Sequence, residues 1–145
     1  MIWLLRHGDA EDEAPDDAAR RLTPRGEKEA NAAADALAAL EVRVDACLSS
    51  PKLRAVETAR AVCAELGIAV EQSEALQGGD FDPEELTAGR GDVLLVGHEP
   101  DLSRAIQAAT GARIELKKGG LAAIENGSLM TLLRPAQLRA IASAR

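Results

Sequence analysis

The chain of 145 residues holds two histidines, and each stands beside a glycine after a short apolar run. His7 lies in Arg6-His7-Gly8, and His98 lies in Gly97-His98-Glu99-Pro100. Near neutral pH an imidazole serves as nucleophile, base or hydrogen-bond donor. Arg54 follows Ser49-Ser50-Pro51, a serine-proline pair that reads as a helix start. A helix N-terminus offers unpaired N–H groups and a guanidinium offers bidentate bonds, so together they suit a phosphate. Ser49 and Ser50 add hydroxyl or backbone donors. Arg6, His7, Arg54 and His98 converging on one tetrahedral dianion is the chemistry these residue types support. Arg54 alone reads equally well as a surface residue of a helix. Arg20 and Arg21 precede the next helix start, Thr23-Pro24, where a cation is poorly placed for the helix dipole. A substrate-binding role accounts for Arg20, and a plain surface pair is the simpler account.

The elements that position these residues follow from local pattern. Ile2–Arg6, Val44–Ser49, Ile68–Gln72 and Asp92–Val96 read as strands. Helices are expected from Pro24 to Leu40, from Ser50-Pro51 to Gly67, over Pro83–Ala88 and from Pro100-Asp101 to Gly111. Three further short strands are expected at Arg113–Leu116, Leu121–Glu125 and Leu129–Leu133, with a hairpin turn at Asn126-Gly127 and a last helix from Pro135. Strands alternating with helices imply an α/β sheet covered on both faces, with an antiparallel edge. Sites in such sheets form beyond the carboxyl ends of the strands, which puts His7 and His98 on one rim. Asp9–Asp17 is an acidic loop, expected either to move over the site or to meet a basic surface of a partner.

Composition narrows the function. Apolar residues make up 46% and charged residues 28%, with a net charge of −7. These values describe one soluble domain, residues 1–145. Trp3 and Phe81 are the only aromatic residues, so there is no stacking platform for single-stranded nucleic acid. The negative charge opposes binding to nucleic acid or to an anionic membrane. The first apolar run is too short for a signal peptide or a membrane span. Cys47 and Cys63 form no CxxC pair and read as small core residues. A cytoplasmic monomer is the expectation. Two histidines without a compact ligand motif argue against a metal centre. Glu99 reads as a helix-cap residue.

The ordered set of motifs resembles the histidine phosphatase superfamily, which includes the phosphoglycerate mutases. Arg6-His7-Gly8 resembles its signature. Ser49-Ser50-Pro51 with Leu53-Arg54-Ala55 and Thr58-Ala59 resembles its second motif, and Gly97-His98 its third. Leu22-Thr23 and Gly26 match the start of its first helix. The short length, Arg6-His7-Gly8-Asp9-Ala10 and the late Leu133-Arg134-Pro135 are similar to the SixA-type phosphohistidine phosphatases. The resemblance implies a phosphoglycerate mutase-like α/β/α sandwich with a mostly parallel sheet. It implies His7 as nucleophile, with Arg6, Arg54 and His98 on the phosphoryl oxygens. Gly8, Arg20 and Ser50 are further expected substrate contacts. No cofactor or metal is implied, because the arginines supply the positive charge. The expected substrate is a protein bearing phosphohistidine. A small phosphorylated metabolite and a non-catalytic phosphate-binding module are the alternatives.

One feature of larger superfamily members has no clear counterpart. They use a carboxylic acid to protonate the leaving oxygen. Asp80 and Asp82 fall roughly where that acid often lies in sequence, and Asp9 neighbours the nucleophile. Each reads more simply as a solvated loop carboxylate. Imidazole is a weakly basic leaving group and needs such an acid less than an alkoxide does.

Overall fold

Alternating apolar residues send the strands' side chains to two separate cores, one on each face of a single sheet. The computed structural model describes residues 1–145. Strands β1 (Ile2–Arg6), β2 (Ala46–Ser49), β3 (Val70–Gln72), β4 (Val93–Gly97), β5 (Leu121–Glu125) and β6 (Ser128–Leu133) form six strands in the order β3-β2-β4-β1-β5-β6. The first four are parallel, and β5 and β6 add antiparallel pairs at one side. Leu5, Cys47, Leu94, Val96 and Leu121 point to one core, which packs against helices α1 (Pro24–Ala39), α2 (Leu53–Leu66) and α5 (Pro135–Ser143). Leu4, Leu48, Val93, Leu95 and Ile124 point to the other, beneath α3 (Pro83–Thr87) and α4 (Asp101–Thr110). The period-two alternation of β1, β2, β4 and β5 therefore fills both faces, as burial on two sides requires, while the edge strands β3 and β6 stay partly exposed. The expected three-layer α/β/α sandwich is the observed fold.

Local chemistry sets the helix ends. Thr23 caps α1 by accepting the Gly26 N–H at 3.1 Å, with Pro24 in the first turn. Gly67 and Gly111 close α2 and α4 in the left-handed region. Asn126 and Gly127 both have positive φ and turn β5 into β6.

Two local expectations are corrected. Arg113–Leu116 is not a strand. Its backbone groups go to side chains instead: Leu116 N–H reaches Glu99 Oε2 and Ser103 Oγ, each at 3.3 Å, and its carbonyl takes Arg6 Nη1 at 2.9 Å. Helix α2 begins at Leu53 with Lys52 as its N-cap, so Ser50 is not the cap. The Ser50 hydroxyl accepts the Lys52 N–H at 3.2 Å and is thereby turned towards His98.

Candidate active site

Strand register brings the two histidines together. Arg6 pairs with Gly97 across β1 and β4, so the next residue on each strand is a histidine. His7 N–H donates to the Gly97 carbonyl at 3.1 Å, and the two rings lie with centroids 5.1 Å apart. Ser49 pairs with Val96 across β2 and β4, and Ser50 N–H continues the ladder to the Val96 carbonyl at 3.0 Å. The Ser50 hydroxyl thus stands 2.7 Å from His98 Nε2. Three adjacent parallel strands deliver Ser50, His98 and His7 to one rim.

His7 is held in one tautomer. Its Nδ1–H donates to the Gly8 carbonyl at 2.7 Å, which leaves the lone pair on Nε2. Gly8 is fixed in turn, because its N–H donates to Thr58 Oγ1 at 3.1 Å and the Thr58 hydroxyl donates to the Arg54 carbonyl at 2.8 Å. Thr58 and Arg54 lie one helical turn apart on α2, so a single face presents both. Gly8 also tolerates no side chain: a Cβ there would sit 2.5 Å from the Gly26 carbonyl oxygen, where α1 packs on the segment after β1.

The arginines are anchored from outside the reaction centre. Arg6 Nη1 donates to Leu116 O. Arg54 Nη1 donates to the Asp17 carbonyl at 2.8 Å, and its Nη2 lies 3.2 Å from the Asp17 carboxylate. Arg20, Lys52 and Arg54 together hold the Asp17 carboxyl well below the usual carboxylate range. After these bonds are counted, Arg6 Nε, Arg54 Nε and His98 Nδ1 are the buried side-chain polar atoms that have no partner. All three belong to residues around His7. A buried donor left unpaired is costly, and sites that receive a ligand are where such atoms are tolerated. Ser50 Oγ and His98 Nε2 share one hydrogen bond at 2.7 Å. With the serine hydroxyl as its donor, the ring proton of His98 falls on Nδ1, the unpartnered atom.

Electrostatics favour neutral imidazoles. Burial pushes His7 down to about 4, with Arg54, Arg6 and Lys118 acting in the same direction and the Gly8 carbonyl opposing them. Burial pushes His98 down to about 3, helped by His7, Arg54 and Lys52. The centre therefore carries positive charge on its arginines and uncharged rings between them.

Other residues singled out by sequence fall elsewhere. Arg20 is tied to the Glu11 carbonyl at 2.5 Å and to Asp17 at 3.2 Å, so it touches the centre through Asp17. Asp9 is bound by Lys118 at 2.9 Å and by the Thr23 hydroxyl at 2.8 Å, and both hold its carboxyl below its ordinary value. Asp80 and Asp82 are not at this rim. They line a cavity with Asn126 and Gly127, the hairpin turn at the amino end of β1, and Asp82 caps α3. The acidic loop is pinned at Glu11 and Asp17, while Asp12 and Glu13 are exposed. Glu99 holds Ser103 in the first turn of α4 and also Leu116, the residue that receives Arg6. Sequence reasoning missed Asp17, which reads locally as one more solvated acid, and gave Thr58 no separate role. No three His, Cys, Asp or Glu side chains converge as a metal-ligand set.

Comparison with known proteins places the chain by family and by fold. Residues 2–88 match the model of the histidine phosphatase superfamily, branch 1. An uncharacterized protein of Picosynechococcus sp. is 35% identical over 142 residues, covering 88% of this chain and 86% of that one. A candidate phosphohistidine phosphatase SixA from Agrobacterium tumefaciens is similar at a TM-score of 0.81 and 27% identity, covering 92% of this chain and 97% of that one. The protein histidine phosphatase SixA complexed with tungstate shares the fold at a TM-score of 0.83 and 24% identity, covering 94% and 98%. A phosphoserine phosphatase of Entamoeba histolytica shares it at 0.70 and 16% identity, covering 94% and 98%. With residues 2–88 matching its model and the whole chain matching SixA structures in fold, the chain belongs to the histidine phosphatase superfamily and has the SixA-type form of its fold.

Proposed function

We propose that the chain is a phosphohistidine phosphatase that works through a covalent phosphate on His7. The observation that carries the reading is the trio of buried, unpartnered atoms Arg6 Nε, Arg54 Nε and His98 Nδ1 around a histidine of fixed tautomer. Three donors around one nucleophile suit the equatorial oxygens of a phosphoryl group in transfer. Tungstate, with which a SixA structure is complexed, is a tetrahedral dianion like the phosphate product.

In the first step His7 Nε2 attacks phosphorus. A new N–P bond forms as the bond to the substrate imidazole breaks, and that imidazole departs with the electron pair. A phosphohistidine protonated on its second ring nitrogen leaves as neutral imidazole. In the second step water attacks phosphorus, phosphate departs and His7 is restored, with the proton of the water passing to phosphate or solvent. Positive charge throughout comes from Arg6 and Arg54, and His98 donates from Nδ1. Gly8 contributes the carbonyl that fixes His7, and Ser50 orients His98. Arg20 acts at one remove, through Asp17.

The carboxylates support phosphohistidine over an unactivated phosphate ester. Asp80 and Asp82 lie at the far end of β1, and Asp9 is engaged by Lys118 and Thr23. An alkoxide leaving group would need the acid that none of them supplies. The chain acts as one domain, a cytoplasmic monomer, in this reading; no helix is long and apolar enough to cross a membrane.

The test is steady-state hydrolysis of a phosphohistidine-bearing protein and of p-nitrophenyl phosphate, with excess EDTA, by the native chain and His7→Ala. Turnover of phosphohistidine that survives the chelator and vanishes in the variant is expected, with labelled phosphate trapped on His7. A strong preference for p-nitrophenyl phosphate would favour a small-metabolite phosphatase instead. Phosphate binding without turnover of either would make the chain a binding module.

A further inference from the structure

We infer that the basic cavity beside Arg6 docks an acidic segment of the polypeptide that carries the phosphorylated side chain. The inference rests on the phosphatase reading and names the class of its substrate. The cavity measures about 510 Å³ and is lined by Arg6, Arg25, Lys117, Lys118, Arg134 and Arg139. These are six of the 17 Lys and Arg of a chain whose net charge is −7. The three carboxylates that reach the cavity are already engaged. Asp9 holds Lys118 at 2.9 Å, Glu115 lies 3.7 Å from Lys117, and Glu29 accepts the Asp9 N–H at 2.8 Å. Arg25, Arg134 and Arg139 are exposed and form no ion pair.

Two of these cations oppose local preference. Arg25 lies in the first turn of α1, and Arg134 immediately precedes α5. Helix N-termini favour anions, so a guanidinium there adds to a field that is already positive. An anionic partner relieves both. The cavity is contiguous with the reaction centre through Arg6. The Gly119 N–H also bonds the carbonyls of Arg6 and His7, each at 3.1 Å, which fixes the Lys117-Lys118 turn against the nucleophile.

Breadth favours a polypeptide over a metabolite. The cations come from α1, the turn before β5, the end of β6 and α5, a wider span than one phosphoryl group. The opposite flank of His7, next to α2, carries exposed Glu11, Asp12, Glu13 and Asp16, none of them in an ion pair, while Asp17 there is taken up by Arg20, Lys52 and Arg54. The rim is basic on one side and acidic on the other. An acidic segment is attracted to one flank and repelled by the other, which orients it.

The experiment uses the native chain and the double variant Arg134→Glu, Arg139→Glu, two exposed positions outside the phosphate centre. Fluorescence anisotropy follows a short unphosphorylated peptide with one histidine flanked by glutamates, and a second peptide flanked by glutamines. The native chain is expected to bind the glutamate peptide about 10-fold more tightly at low salt, with the preference shrinking as salt rises and absent in the double variant. In hydrolysis, the variant is expected to lose about 10-fold in kcat/KM on a phosphohistidine protein with acidic flanks, chiefly through KM, and nothing on p-nitrophenyl phosphate. No preference for the glutamate peptide by the native chain would overturn the inference. So would an equal loss on p-nitrophenyl phosphate, because the cations would then serve the phosphoryl group itself. A glutamate preference in a native chain that turns over no phosphohistidine would keep the docking site and defeat the phosphatase reading.

Discussion

Asp17 grips Arg54 twice, its carbonyl taking Nη1 at 2.8 Å and its carboxylate lying 3.2 Å from Nη2. The guanidinium is thereby fixed with Nε as its one unpartnered nitrogen. Asp17 is a positioning residue in this arrangement, acting through Arg54. Asp17→Ala keeps the carbonyl contact and removes the carboxylate. Loss of orientation is expected to lower kcat by about 10-fold and to weaken tungstate inhibition, and Asp17→Asn should recover part of both. Unchanged kcat and tungstate inhibition in Asp17→Ala would show that the carbonyl alone holds the arginine.

His7 and His98 should titrate far below ordinary imidazole. With two histidines in the chain, their ring protons are separable by NMR. Midpoints near 4 for His7 and near 3 for His98 are expected. Tungstate bound at the proposed phosphate site would bring negative charge to both rings and raise both midpoints. A titration of either ring at the ordinary imidazole value would contradict the buried, arginine-flanked geometry.

The same shifts make stability depend on pH with a definite sign. Each folded pKa is depressed, so as pH falls the unfolded chain takes up protons first. The contribution is fully present above the ordinary imidazole value of about 6.5, and it is lost as pH falls towards the folded values. Urea midpoints should therefore drop between about pH 7 and pH 5, and drop less in a His7→Gln, His98→Gln double variant. Equal drops in the two proteins would assign the pH dependence to other groups.

Thr58 is fully buried and connects Gly8 to Arg54 through one hydroxyl. Thr58→Val preserves shape but leaves the Gly8 N–H without its acceptor. A loss of about 1–3 kcal/mol in urea denaturation is expected, together with reduced turnover, because Gly8 also fixes the His7 ring. Thr58→Ser should restore most of both. Native stability in the valine variant would mean that the Gly8 N–H finds another acceptor.

Gly26 packs against the segment that follows β1, and a Cβ there would overlap the Asp9 carbonyl. Gly26→Ala should cost about 1–3 kcal/mol, seen as a lower melting temperature, as α1 is forced away from Gly8 and Asp9. An unchanged melting temperature would show that the contact can open at no cost.

Much of this molecule was legible in residue order alone. Apolar runs ending at Arg6-His7 and Gly97-His98 marked two strands and the rim they share, because period-two burial and glycine punctuation act over a few residues. Thr23-Pro24, Gly67, Gly111 and Asn126-Gly127 marked ends and turns for the same reason: each depends on the φ preference or hydrogen-bonding reach of its own side chain. The tertiary structure alone decided which acids matter. Asp17 meets Arg54 across 37 positions, and Leu116 meets Arg6 across 110. Local pattern cannot register such pairs, since strand order and register create them. The same topology sends Asp80 and Asp82 to the amino end of β1, away from the histidines, although their place in sequence gave no sign of it. It also turned Arg113–Leu116 from an expected strand into an irregular segment, because Glu99, Ser103 and Arg6 use the backbone groups of Leu116 that a ladder would need.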